Sequence, residues 1–365
     1  MPISNARGGC SLAVRNLSVR AGAAARRHLE EHGLSPADVG ILPGAAGGPK
    51  ALGIQGLDLA VFGEFLPRAP RVRSLVGASI GSWRFAAVAQ SDPVAGLRRL
   101  GELYLAQRFE KGVTPTTVSE RSVRMLEALI DGQAEAILAN PDYRLNVVIN
   151  RSRGLLASDE RWKLLMGLSA AIGRNLISRK WLGGAFERVI AHDPRQPPPF
   201  GAFSDMPAEY VTLTPGNLET VLLASGSIPM VMDAVRDVPG LPPGAYRDGG
   251  MTDYHLDLPF EGDGIILYPH FTDRVIPGWF DKPLKWRQGD PNRLSNMLLV
   301  APSGEYLANL PHGKLPDRKD FETFAGDDAN RERYWRQAID ESRRLGDDFL
   351  ELVESGRWME VVEPL

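Results

Sequence analysis

Short apolar runs alternate along this chain with longer stretches whose apolar residues recur every three or four positions, so buried strands and one-faced helices are predicted in turn. Val39, Ile41 and Leu42 form one such run. A glycine-rich stretch over residues 44–48 follows, and Leu52, Leu57, Ala60 and Val61 then share one helical face. The unit repeats at once, with residues 72–76 reading as a strand, 77–81 as a tight turn and 82–90 as the start of a helix. Alternation of strand and helix predicts α/β architecture, a doubly wound, mostly parallel sheet flanked by helices.

Upstream, residues 1–16 read as an irregular lead-in and 19–32 as an Ala/Arg-rich helix stopped by Gly33 and Pro36. Downstream, helical patterns fill 94–108 and 116–139, residues 145–149 read as a buried strand, and one long helical region runs over 160–190. Strands at 210–213, 265–267 and 297–300 and a helix at 217–225 complete the pattern. Trp335, Ala338, Ile339, Ser342, Leu345, Phe349, Leu352 and Val353 predict one amphipathic C-terminal helix that docks on the domain. The expected division is a lead-in and helix over 1–37, a catalytic domain over 38–270 and an extension over 271–365 packed on it.

Composition narrows the function classes. With 42 basic and 45 acidic residues the net charge is −3, which gives no electrostatic pull toward nucleic acid. The single cysteine, Cys10, cannot close an intramolecular disulfide, and neither a signal peptide nor a transmembrane span is expected from the hydropathy pattern. A cytoplasmic protein with peripheral membrane contact is the expectation; the oligomeric state is left open.

Three local patterns carry chemistry. Gly77-Ala78-Ser79-Ile80-Gly81 matches G-x-S-x-G, a strand-to-helix turn that holds a serine in a strained backbone, and Gly77 and Gly81 leave room for the close crossing. An exposed serine is expected there. The glycine loop before it, Gly44 through Lys50, can turn free N–H groups toward an anion. It is not a P-loop, because Pro49 stands where that motif needs glycine and Ala51 where it needs Ser or Thr. The third pattern is Asp248-Gly249-Gly250, an aspartate on a turn whose doubled glycine lets the backbone fold closely around a carboxylate. Asp131-Gly132 and Asp263-Gly264 lack that second glycine.

Taken together, the glycine loop ending in Pro49-Lys50, G-x-S-x-G, the stretch Ala224-Ser225-Gly226-Ser227-Ile228-Pro229 and Asp-Gly-Gly resemble the patatin-like phospholipases over roughly residues 38–270. The resemblance implies a doubly wound α/β fold and hydrolysis of acyl esters in phospholipids, galactolipids or neutral glycerides. It puts the nucleophile at Ser79, its aspartate at Asp248 and the oxyanion donors on the N–H groups around Gly47 and Gly48. Lys50 matches the family's basic residue, and Gly77, Gly81 and Gly249 support the turns. Ala46 and Ala51 stand where the family loop usually has glycine; an Ala forced to positive φ would cost about 1 kcal/mol.

The implied reaction needs no metal or cofactor. Asp248 accepts the Ser79 proton as Oγ attacks the ester carbonyl, and water later hydrolyses the acyl-enzyme. A carboxylate of ordinary pKa, about 3.9, is a weak base for a hydroxyl, so a modest turnover is expected.

Other readings compete. A Ser-Asp-His triad would use His255, His270 or His312, but the pattern leaves room for only two strands before residue 79, too few for an α/β-hydrolase. His255 with Asp253 and Asp257 has the look of a metal cluster, although alternating polar residues in a loop more often hydrogen-bond one another. A catalytically silent protein of the same fold, binding lipid or a partner, is the remaining alternative. Trp279, Phe280 and Trp286, interleaved with Lys282, Lys285 and Arg287, suit an anionic lipid interface or simply cover the core.

Overall fold

The computed structural model describes residues 15–365, so most of the lead-in, Cys10 included, lies outside the described residues. The strands are β1 (Leu17–Ala21), β2 (Val39–Gly44), β3 (Arg73–Ala78), β4 (Tyr143–Ser152), β5 (Phe186–His192), β6 (Ala208–Thr212), β7 (Ala245–Asp248), β8 (Ile265–Pro269), β9 (Met297–Pro302) and β10 (Val362–Pro364). They form one sheet in the order β10-β1-β9-β8-β2-β3-β4-β5-β6, with β7 joined to β4. Pairing is parallel from β9 through β8, β2 and β3 to β4, and also in β1–β10 and β5–β6. Antiparallel ladders join β1 to β9 and β4 to β5 and β7. The fold is therefore the expected mostly parallel α/β sheet flanked by helices.

The helices are α1 (Ala23–His32), α2 (Gln55–Ala60), α3 (Ile80–Val88), α4 (Pro93–Leu105), α5 (Pro115–Ile130), α6 (Ala134–Ala139), α7 (Arg161–Ile177), α8 (Leu218–Gly226), α9 (Gly304–Asn309), α10 (Lys319–Thr323), α11 (Asp328–Glu341) and α12 (Arg343–Ser355). Every residue of β3, β8 and β9 is buried, as expected of parallel strands covered on both faces, whereas β6 is a part-exposed edge. Helix α3 is buried throughout, and its Arg84 donates from Nε to Asp58 of α2 at 2.9 Å, pairing two charges that burial would otherwise penalise heavily.

Several boundaries differ from the sequence pattern. Residues 19–32 are not one helix: Leu17, Val19 and Ala21 alternate inward as β1, and the helix begins only after Gly22. Three strands, not two, thus precede Ser79. Helix α5 ends at Ile130, capped by Asp131, which with Gly132 takes positive φ and breaks the pattern before α6. The region expected as one helix over 160–190 is α7 followed, after Gly183-Gly184, by β5, whose Val189 and Ile190 favour a strand. The C-terminal helix is two helices. They meet at Ser342, whose Oγ accepts from the Gly56 N–H at 2.8 Å, and a Cβ on Gly56 would stand 2.2 Å from the Ser342 carbonyl oxygen. Residues beyond 271 supply β9 and β10 to the sheet itself, so they do more than pack on it.

Candidate active site

Strand register brings the serine and the aspartate together. β3 runs beside β4 and ends with Ala78 opposite Val148. One rung further along the same edge of β4, Ile149 faces Asp248 at the end of β7, which arrives from the opposite direction. Two strands therefore end head to head on consecutive rungs, and the side chains at the junction meet: Ser79 Oγ donates to Asp248 Oδ2 at 2.8 Å.

The junction is held from three sides. Ser225, in the last turn of α8, accepts the Ser79 N–H on Oγ at 2.9 Å and donates to the Val148 carbonyl at 2.9 Å. Ser227 accepts the Asp248 N–H on its backbone oxygen at 3.0 Å. Asn150 donates from Nδ2 to the Asp248 carbonyl at 2.9 Å and to the Gly249 carbonyl at 3.2 Å. Each is a buried polar pairing whose loss would leave partners unsatisfied.

Ser79 precedes α3 with φ 56° and ψ −129°, a strained conformation for a residue with a Cβ. It persists because its neighbours can approach closely: a Cβ on Gly81 would lie 1.8 Å from the Gly44 oxygen and one on Gly77 2.5 Å from Ser82 Cα. At the other strand end, a Cβ on Gly249 would lie 2.1 Å from the Val148 oxygen. Contrary to expectation the serine is buried, at 3% exposure; it is Asp248, and not Ser79 itself, that lines the adjoining cavity.

Asp248 lines a cavity of about 200 Å³ whose other charged lining residues are Lys50, Lys282, Arg318 and Lys319 and one further carboxylate, Asp317; Gly47, Ile228, Met251, Tyr254 and Trp279 are among the rest. Besides the serine, the Asp248 carboxylate accepts the Gly250 N–H on Oδ1 at 2.7 Å. Burial pushes its pKa above the ordinary carboxylate range, and the Arg318 charge and the serine hydrogen bond only partly offset that. A raised pKa makes the carboxylate a better proton acceptor than the sequence alone implied.

Neither Ala46 nor Ala51 takes positive φ, so the feared strain is absent. The Ala46 N–H donates to the Tyr254 carbonyl at 3.0 Å and is committed. The N–H groups of Gly47 and Gly48 have no acceptor among the described residues, and Gly48, at φ 57°, is the loop position that uses the freedom of glycine. Gly47 borders the cavity directly; Gly48 is not part of its lining and faces the Arg318 side chain, which is.

The cavity's basic wall was the part the sequence concealed. Lys50, expected, lies over the Phe271 ring at 4.9 Å, and burial lowers its pKa. Lys282, grouped by sequence with surface cations, instead sits 3.8 Å over Tyr254, and burial together with Lys50 and Arg318 pushes it down to about 7. Arg318 and Lys319 come from the start of α10, far along the chain. Of the neighbouring aromatics, Phe280 is buried in the core, while Trp279 is part-exposed and Trp286 largely exposed at 75%.

The histidines do not join the serine and aspartate. His255 and His270 are buried edge to face with ring centroids 4.3 Å apart, and His255 Nδ1 faces the backbone of Arg274 and Ile276. Burial lowers His255 well below the usual imidazole range and His270 to about 3, so both rings are neutral at pH 7. His312 packs against Phe324 and Tyr334. Asp253 pairs with Arg188 and Asp257 faces Arg293, and no three His, Cys, Asp or Glu side chains converge as a metal site among the described residues.

Fold and site define a class: an α/β protein with a buried serine-aspartate pair where two strands end. No family model matches the chain, and no curated protein matches it. Among solved structures it is similar to the human GIVD cytosolic phospholipase A2, at 11% sequence identity and a TM-score of 0.39, over 91% of this chain and 62% of that one. It thus spans less than two thirds of that protein's length.

Proposed function

We propose that the chain is a serine acyl hydrolase that cleaves carboxylic esters of lipids through an acyl-enzyme, with Ser79 as nucleophile and Asp248 as its base. The observation that carries this reading is the 2.8 Å hydrogen bond between them, made by a serine held at φ 56° before a helix. As Oγ attacks the ester carbonyl, its proton passes to Asp248 Oδ2. The tetrahedral oxyanion lies near the N-terminus of α3, with the Gly47 and Gly48 N–H groups as donors; losing one such donor typically costs about 10²- to 10³-fold in rate. Collapse breaks the ester C–O bond, Asp248 returns the proton to the leaving alcohol, and water attacks the acyl-enzyme by the same route. Arg318 and Lys50, joined by Lys282 when a bound anion draws a proton onto it, favour a phosphate-bearing ester over a neutral glyceride, and Ile228, Met251 and Trp279 supply apolar contact for an acyl chain.

Hydrolysis of a short acyl ester, measured for wild type and Ser79→Ala at matched folded fraction, tests the assignment. The variant is expected at background; activity at the wild-type level would sink it. A phosphate-bearing ester of the same acyl chain should then be preferred over the uncharged ester, with the preference shrinking in Lys282→Met and Arg318→Met.

A further inference from the structure

Helix α7 has two apolar faces. One packs inward through Leu164, Gly167 and Ala171 against Leu156, Leu182, Phe186 and Phe280. The opposite face carries Trp162, Leu165, Met166, Ile172, Leu176 and Ile177 at helical spacing, each between 44% and 65% exposed, and Trp181 just beyond the helix is 56% exposed. Ser169 and Gly173 fill the same stripe, so no charged side chain interrupts it. A stripe of this size is unusual on a free surface.

Charge indicates what covers it. Residues 161–184 hold Arg161, Lys163, Arg174, Arg179 and Lys180 and no acidic residue. The outward apolar face has a tryptophan near each end, and around it Arg161, Lys163, Arg174 and Lys180 outnumber the carboxylate of Glu160, which accepts the Trp162 Nε1–H at 2.9 Å and pairs with Lys163, so the face is complementary to an anionic bilayer surface. A second copy would bring the same positive charges together. Among the described residues no helix is long and apolar enough to cross a membrane, so the contact proposed for this face is one of lying on the surface.

The helix is also tied to a turn that borders the cavity. Asn175 donates to Asp281 Oδ1 at 2.7 Å, and Arg179 donates to Asp281 Oδ2 at 2.8 Å and to the Thr252 carbonyl at 2.9 Å. The Gly278 N–H closes onto the same Asp281 carboxylate at 2.9 Å, which fixes Trp279, a cavity-lining residue. We infer that the outer face of α7, with Trp162 and Trp181 near its ends, is a docking surface for anionic lipid bilayers.

Flotation with phosphatidylcholine vesicles, with and without phosphatidylserine, tests this in the full chain. Wild type is expected to float with the phosphatidylserine vesicles and to release as salt is raised. The double variant Leu176→Ser, Ile177→Ser is expected to lose at least tenfold in vesicle affinity while its melting temperature and its rate on a water-soluble ester stay unchanged. Arg161→Glu with Lys180→Glu should lose binding to phosphatidylserine vesicles specifically. Undiminished flotation of the Leu176, Ile177 variant overturns the inference, as does a wild type that ignores vesicles and forms a dimer which that variant dissociates. Ser79→Ala, which tests the hydrolase reading, should float like wild type, so the two readings fail separately.

Discussion

Two buried carboxylate clusters lie five residues apart along the turn after β7, and they are built on opposite principles. Asp253 receives two 2.7 Å hydrogen bonds from Arg188, which also reaches Asp205, while Arg179 pairs with Asp205 and Asp281. Asp248 receives only a hydroxyl and one backbone N–H, and its nearest cations act across the cavity. Burial raises both Asp248 and Asp205. At Asp205 the guanidinium groups of Arg188 and Arg179 outweigh it and hold the carboxyl below the ordinary range; at Asp248 burial wins. The difference teaches that burial alone does not mark a reactive carboxylate. The one with a structural role is surrounded by guanidinium, and the one proposed to move a proton is left short of charge.

The most damaging way to probe the contrast is Asp248→Asn, which removes the proton acceptor and should lower ester hydrolysis by about 10⁴-fold or more, read in single-turnover assays. The matching change in the other cluster, Arg188→Met, takes from Asp253 its two guanidinium hydrogen bonds and leaves Asp205 with Arg179 alone, and should cost about 3–5 kcal/mol of stability in a urea titration. Activity per folded molecule should survive it, and loss of catalysis without unfolding would erase the distinction. Ser225→Ala leaves the Ser79 N–H and the Val148 carbonyl unpaired, a cost of about 1–3 kcal/mol, and should lower kcat more than it raises KM.

The response to pH separates the clusters by sign. A carboxyl whose folded pKa is raised stabilises the fold below its unfolded pKa and loses that contribution as pH rises through the folded value, so Asp248→Asn should stabilise the protein at neutral pH and less so near pH 4. Asp205, held low, contributes above its unfolded pKa and loses it on acidification, so Asp205→Asn should destabilise at neutral pH and matter less in acid. Melting curves at both pH values decide. The smallest effects belong to the histidines: single His255→Ala, His270→Ala and His312→Ala variants that fold should keep at least about a tenth of the rate, within about 1.4 kcal/mol of barrier. One as damaging as Ser79→Ala would restore the triad.

What the sequence disclosed about the site follows the same division. Ser79 and Asp248 are legible because each sits in a short contiguous motif whose glycines answer to backbone crowding measurable at Gly81 and Gly249. The parallel sheet is legible because β2 and β3 are compact apolar runs before helices. Arg318 and Lys319 are not, since they reach the cavity from α10 with no local pattern to announce it. Ser225 stood in a recognisable stretch, yet only the pairing of β3, β4 and β7 reveals which N–H it holds. β1 alternates, with Leu17, Val19 and Ala21 inward, but for only five residues that run straight into an Ala/Arg-rich helix, and β5 follows a long helix with no alternation of its own, so in both the pairing with neighbouring strands decides the conformation.

The pairing of Ser79 with Asp248 is tested most directly by active-site-directed labelling. Wild type and Asp248→Asn are exposed to a fluorophosphonate, and the adduct is mapped by peptide mass spectrometry over time. A nucleophile activated by its aspartate predicts a single adduct on Ser79 in the wild type and labelling at least about a hundredfold slower in Asp248→Asn. An adduct on another residue, or Ser79 labelling at an undiminished rate without the Asp248 carboxylate, would contradict it.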